Sequence, residues 1–224
     1  MNDLKKRILE ISYKKGLAHL GSCLTAVNII DAIYKVKKPD EKFVLSGGHA
    51  ALALYVVLES RGGRNAEQIF DHHGVHPDRC RDCGLDYSTG SLGHGVGAAL
   101  GMALADRSKN VYCLVTDGEC AEGSVWEALR VASDYKVTNL RLFGNFNGWG
   151  AYSQVPYYEI TQRIIAFGWD VRVLETTKAD ILKVTHGKPN FIAFRTDVNQ
   201  APFLKDQEAH YYRMTEADYA TINK

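Results

Sequence analysis

Neither sign of charge is in excess in this sequence: 27 Lys and Arg face 26 Asp and Glu, for a formal net charge of +1. That balance leaves no basic stripe for nucleic acid and no cationic face for an anionic membrane surface, so a small-molecule ligand is favoured. Long apolar runs are missing too. The most extended one, Gly95 to Ala105, is largely glycine and alanine and is too short to span a bilayer. No cationic leader followed by an apolar core opens the chain, and the expectation is a cytoplasmic protein. Low-complexity linkers and internal repeats are absent as well. The 5 cysteines are an odd number, which argues for reduced thiols over a disulfide framework. Of these, Cys113 and Cys120 read as buried small hydrophobes.

What is present is strand-helix alternation over 224 residues, enough for one sizeable α/β domain. Leu4, Ile8, Ile11 and Leu17, then Val27, Ile30, Ile33 and Tyr34, predict two opening helices with a loop around His19 between them. Lys42 to Leu45 reads as a strand, Ala50 to Glu59 as a helix ended by Arg61-Gly62-Gly63, and Asn65 to Phe70 as a minor helix. Asp71 to Gly90 reads as a long loop, a form that is usually functional inside a compact domain. Helices are expected at Leu92 to Asp106, Glu122 to Tyr135, Glu159 to Phe167 and Lys178 to His186. Strands are expected at Val111 to Val115, Asn139 to Phe143, Trp169 to Leu174 and Phe191 to Phe194. Such alternation implies right-handed crossovers and a mostly parallel central sheet with helices on both faces. Residues 1–197 form the main body of this domain and 198–224 a divergent C-terminal tail.

The most informative stretch is Thr116-Asp117-Gly118-Glu119-Cys120-Ala121-Glu122-Gly123, followed by Asn145-Phe146-Asn147. Asp117 and Asn147 each follow a predicted strand, so a crossover brings two hard oxygen ligands to the same end of the sheet. A carboxylate, an amide oxygen and a backbone carbonyl suit Mg²⁺ while leaving room for phosphate oxygens. A second constellation competes with it. Cys80-Arg81-Asp82-Cys83, with His72, His73 and His76 upstream, has the spacing of a tetrahedral zinc site, although it sits in a loop whose His76-Pro77-Asp78 has another explanation.

The first pattern resembles the diphosphate-binding signature of thiamine-diphosphate enzymes, and the residues from Asp117 to Ala128 resemble the N-terminal part of transketolase. Four further blocks occur in that family's order: Ala18-His19-Leu20-Gly21-Ser22, Phe43 to Ala50, Gly74 to Asp78 and Ser88 to Gly95. The resemblance implies the thiamine-diphosphate-binding fold and Mg²⁺ held by Asp117, Asn147 and the Trp149 carbonyl. It also implies cofactor contacts at His49, Gly90, Leu92, Asp117, Gly118, Glu119, Glu122 and Asn147. His19, His49, His76 and His210 would be the catalytic and channel histidines, and Glu122 and Glu127 would lie near a subunit interface. The implied reaction is transfer of a two-carbon ketol unit between sugars or sugar phosphates. Length implies a single domain of the family's several, so a separately encoded pyrimidine-binding subunit would complete the enzyme, in an α2β2 assembly. The alternatives are another thiamine-diphosphate reaction, such as 2-oxo acid decarboxylation or acyloin formation, and a degenerate non-catalytic binding subunit. Departures from the family pattern fall at Thr116, His94, Asn145, Gly150, 175–177 and 198–201.

Overall fold

Alternating side chains along five strands sort the core into two layers. The structure is a computed structural model and describes residues 2–150, 152–175 and 187–222. Strands β1 (Lys42–Leu45), β2 (Val111–Thr116), β3 (Leu140–Phe146), β4 (Asp170–Leu174) and β5 (Asn190–Arg195) make one sheet. Its order is β1-β2-β3-β5-β4, and every pairing is parallel. Phe43, Leu45, Tyr112, Leu114, Phe143 and Phe194 face α1 (Asp3–Lys15), α2 (Leu20–Val36) and α3 (Ala51–Ser60). Val44, Val111, Cys113, Val115, Leu142 and Phe191 face α5 (His94–Ala105), α6 (Gly123–Asp134) and α7 (Tyr157–Ala166). All six residues of β2 are buried, as a central strand covered on both faces requires. Each buried valine or leucine contributes about 1.5–3 kcal/mol of transfer free energy. Among the described residues no helix is long and apolar enough to cross a membrane.

Several boundaries differ from the sequence expectation, each for a local reason. Helix α2 begins at Leu20, directly after His19, well before Val27. Its first turns bury small residues, and a Cβ on Gly21 would stand 2.6 Å from Val198 Cγ2. Apolar spacing carries no signal for that kind of packing. Helix α4 (Ala66–His73) continues past Phe70, so His72 and His73 are its last turn and the loop starts at Gly74. Strand β3 runs on to Phe146 and takes in Gly144 and Asn145. The rings of Phe146 and Phe191 occupy the space that a Cβ on Gly144 would need, at 2.7 and 3.0 Å. The C-terminal segment folds back as a 3-10 turn (Asp206–His210) and α8 (Glu216–Ile222), with Tyr219 stacked on Tyr13 at 4.3 Å. The helix expected at 178–186 lies outside the described residues.

The expectation that all cysteines are free thiols fails at one pair. Cys80 and Cys83 are joined as a disulfide, which the tight turn permits by bringing their Cα atoms to 5.2 Å. Cys23, Cys113 and Cys120 are free and buried.

The open ends of β1 and β2 and the start of α5 are fastened together by a single carboxylate. Glu119 is fully buried and accepts hydrogen bonds from Ser46 Oγ (2.6 Å), Gly93 N–H (2.9 Å) and Thr116 N–H (3.0 Å). Burial raises its pKa, and these donors oppose the rise. Close backbone packing completes the joint. A Cβ on Gly95 would lie 2.7 Å from Ser46 Cα. Replacing Glu119 with alanine strands three buried donors and should lower unfolding stability by about 2–4 kcal/mol, with Glu119→Gln losing less. Urea denaturation of the two variants checks this; equal stability of Glu119→Ala and the unsubstituted chain would contradict it.

Candidate active site

Beyond the carboxyl ends of β1, β2 and β3 opens a cavity of about 340 Å³. Crossover loops deliver side chains to this end of a parallel sheet, and the predicted metal ligands arrive there. Asp117, Asn147 and Trp149 line the cavity together with Gly118, Gly90, Leu92 and Glu122. His19, His49, His76 and His210 line it too. Glu119, predicted as a cofactor contact, stands apart from the lining and serves as the strut described above.

Asp117 is 1% exposed. Its Oδ1 accepts from Gly118 N–H (3.0 Å) and its Oδ2 from Gly148 N–H (2.6 Å). Asn147 Oδ1 accepts from Trp149 N–H (3.0 Å), which folds the loop about Gly148 at φ +85°. One carboxylate thus latches the β2 loop to the β3 loop and brings Asn147 and Trp149 to its side of the cavity. Among the described residues no cationic side chain is paired with Asp117, and burial pushes its pKa up to about 7 despite the backbone donors. A carboxylate taken out of water without a counter-charge suits a divalent cation, whose charge would offset the desolvation. A Cβ on Gly118 would make only ordinary contact with Gly150 Cα, at 3.5 Å, so nothing inside the chain demands glycine there.

Three of the histidines form a cluster. The His19 and His210 rings are 4.9 Å apart, His19 and His49 5.3 Å, and His49 and His210 6.0 Å. His19 takes a left-handed conformation (φ 60°), and its N–H donates to the His210 carbonyl at 3.0 Å. That backbone bond places the returning C-terminal segment against the start of α2. Burial lowers His49 to about 3 and His19 to about 4, and lowers His210 as well, so all three are neutral imidazoles near pH 7. His19 Nδ1 is buried without a hydrogen-bond partner. His76 is exposed at the mouth, where the backbone of Gly90 lies close: a Cβ there would be 3.2 Å from the ring.

Tyr152 and Ser153 also line the cavity, residue types too common in loops to signal a site, as does Ser22 from the first turn of α2. Two of the departures from the family pattern make internal hydrogen bonds, and one of them, Thr116, also lines the cavity. Asn145 points away from the cavity, donating to Thr25 Oγ1 and accepting from Thr196 Oγ1, both at 2.9 Å. Thr116 Oγ1 accepts from Glu119 N–H at 3.3 Å. Glu127 is exposed and paired with Arg130 at 2.6 Å. His72 is exposed, and His186 lies outside the described residues.

Comparison with known proteins identifies the family. The family model described as "Transketolase, thiamine diphosphate binding domain" matches residues 12–222. The chain is 33% identical to one of the named subunits of an apulose-4-phosphate transketolase from Phocaeicola vulgatus, with 86% of this chain and 79% of that protein aligned. It is 31% identical to the 6-deoxy-6-sulfo-D-fructose transketolase subunit SqwG of a Clostridium species, covering 96% of this chain and 90% of the relative. Human transketolase is 33% identical over 78% of this chain, which spans only 32% of that protein. Among solved structures, transketolase from Leishmania mexicana superposes with a TM-score of 0.79 at 21% identity, covering 99% of this chain and 41% of that one. With the matched region running from the first helix to the last, the chain belongs to the transketolase thiamine diphosphate binding domain family.

Proposed function

We propose that this chain is the diphosphate-binding subunit of a two-component transketolase that moves a two-carbon ketol unit between sugars or sugar phosphates. The observation that carries the reading is the buried carboxylate of Asp117 at the mouth of β2, latched to the loop that brings Asn147 and Trp149 to the same cavity. Asp117, the Asn147 carboxamide and the Trp149 carbonyl hold Mg²⁺. Gly118 N–H, Gly90, Leu92, Glu122 and His49 surround the diphosphate. When bound, thiamine diphosphate supplies the electron sink for cleaving the bond beside a ketose carbonyl. The chain's own contribution is position and polarity. Neutral His19, His49 and His210 can each donate to one sugar oxygen and accept from another without placing positive charge beside the Mg²⁺ site. His76 guards the entrance.

Two relatives that this chain matches over most of their length bear subunit names, which supports a separately encoded partner that supplies the pyrimidine-binding wall. Paired α2β2 subunits and a cytoplasmic setting complete the reading. Purified alone, the chain should show no ketol transfer; mixed with its partner, thiamine diphosphate and Mg²⁺ it should transfer ketol units from at least one of a panel of ketose donors. Inactivity of the reconstituted pair across that panel would refute the proposal.

Removing a direct metal ligand should cost at least as much as the 10–100-fold typical of outer-shell partners. Asp117→Ala is therefore expected to weaken Mg²⁺-dependent cofactor binding by roughly 100-fold, and Asn147→Ala by roughly 10-fold or more. Calorimetry of the assembled pair reads both, and unchanged affinity in Asp117→Ala would contradict the assignment. Asp117 also sets a pH dependence. Its folded pKa of about 7 lies above its ordinary 3.8, so the fold favours the protonated form. The stability this confers is complete below about pH 4 and is lost as pH rises through about 7. The cofactor-free chain should lose roughly 2–4 kcal/mol from this group over that window, a loss that Asp117→Asn removes and Mg²⁺ with cofactor offsets. Denaturation profiles of the two proteins that stay parallel across the window would contradict this.

A further inference from the structure

One group of ligand-type side chains lies outside the cleft. His73 at the end of α4 and Cys80 and Cys83 in the loop that follows place an imidazole nitrogen and two sulfurs within 4.8 Å of one another. His73 Nε2 stands 3.4 Å from Cys83 Sγ. Zn–S and Zn–N bonds of about 2.3 and 2.0 Å put neighbouring ligand atoms of a tetrahedral site about 3.5 Å apart, so this edge already has the length that zinc requires.

The backbone around the sulfurs suits thiolates. Cys83 N–H donates to Cys80 Sγ at 3.2 Å, and Gly84 N–H closes a turn onto the Arg81 carbonyl at 3.1 Å. Gly84, at φ +76°, then returns the chain so that Cys80 and Leu85 exchange two backbone hydrogen bonds of 3.0 and 2.9 Å. An N–H aimed at sulfur favours its anionic form, which is the form that binds metal. The competition seen in the sequence, in which the loop's histidines had another use, is resolved by position: His76 lines the cleft, whereas His73 meets the cysteines.

We propose that His73, Cys80 and Cys83 form a zinc site, with water in the fourth position, that staples the end of α4 to the loop carrying His76 and Gly90 to the cleft. The disulfide is the other closure of the same turn. Two equivalents of a small thiol reduce the Cys80–Cys83 bond to two thiols and become a disulfide themselves. Zinc then displaces two protons, one from each cysteine, and binds the neutral His73 ring through Nε2.

The full chain, reduced under anaerobic conditions, loaded with Zn²⁺ and desalted against a weak chelator, should retain about one zinc, as a three-ligand protein site does. Elemental analysis should find less than about a fifth of that in Cys83→Ser and in His73→Ala, with His72→Ala near the unsubstituted value. Co²⁺ in place of zinc should give a sulfur-to-cobalt charge-transfer band that Cys80→Ser/Cys83→Ser lacks. A readout free of substitutions guards against misfolded variants: Zn²⁺ should slow alkylation of Cys80 and Cys83 by about tenfold or more, measured by peptide mass spectrometry. A reduced, unsubstituted chain that keeps almost no zinc, or whose two cysteines alkylate equally fast with and without it, overturns the proposal. Zinc kept by His73→Ala and lost by His72→Ala overturns the ligand assignment.

Discussion

Everything at the open end of the sheet is arranged around one electrostatic problem, the carboxylate of Asp117 held out of water among backbone N–H groups. Those donors fix the group in place without neutralising it, and its pKa rises to about 7. The raised pKa marks a desolvation cost to the ionised group, and under the proposed function a bound cation would offset it. Because Oδ2 is bonded to Gly148 N–H, any change in the state of Asp117 is felt by Asn147 and Trp149 on either side of that glycine.

The scaffold behind this carboxylate is stiff for separate reasons. Glu119 fastens the ends of β1 and β2 to the start of α5, and Gly48 and Gly95 allow backbone contacts that no other residue permits: a Cβ on Gly48 would lie 2.8 Å from the Thr89 carbonyl carbon. The histidine cluster opposite depends on the C-terminal segment, since His210 reaches His19 only through the turn that packs on α2. Burial keeps these imidazoles neutral. Neutral imidazoles bring no positive charge to the cavity, and each can act as a hydrogen-bond donor and acceptor there.

Much of this was legible in the residues, and the exceptions have physical causes. β2 stood out because a strand covered on both faces is apolar throughout, and Asp117 and Asn147 stood out because strand ends followed by polar, glycine-containing loops mark the ligand-binding edge of a parallel sheet. The small-residue start of α2 and the Gly144-Asn145 end of β3 were hidden, since glycine and asparagine there answer to tertiary packing and not to periodicity. The strut role of Glu119 was hidden, because only the fold shows that its three donors come from the residue after β1, the end of β2 and the residue before α5. His210 could be placed by resemblance alone; the backbone bond that draws it to His19 joins residues far apart in the chain. The His73 partnership with the cysteines was obscured by the helix running past Phe70, which turns one of two adjacent histidines inward.

The central claim is that a single divalent cation, held by Asp117 and Asn147, anchors a diphosphate in this cleft. The most direct measurement is an anomalous-scattering map of the subunit crystallised with its partner, thiamine diphosphate and Mn²⁺ in place of Mg²⁺. One peak about 2–2.3 Å from an Asp117 carboxylate oxygen and from Asn147 Oδ1, with diphosphate oxygens completing the shell, is the result expected of a hard cation in this setting. Bound cofactor with the peak elsewhere, or with no ordered metal between those two side chains, would contradict the account.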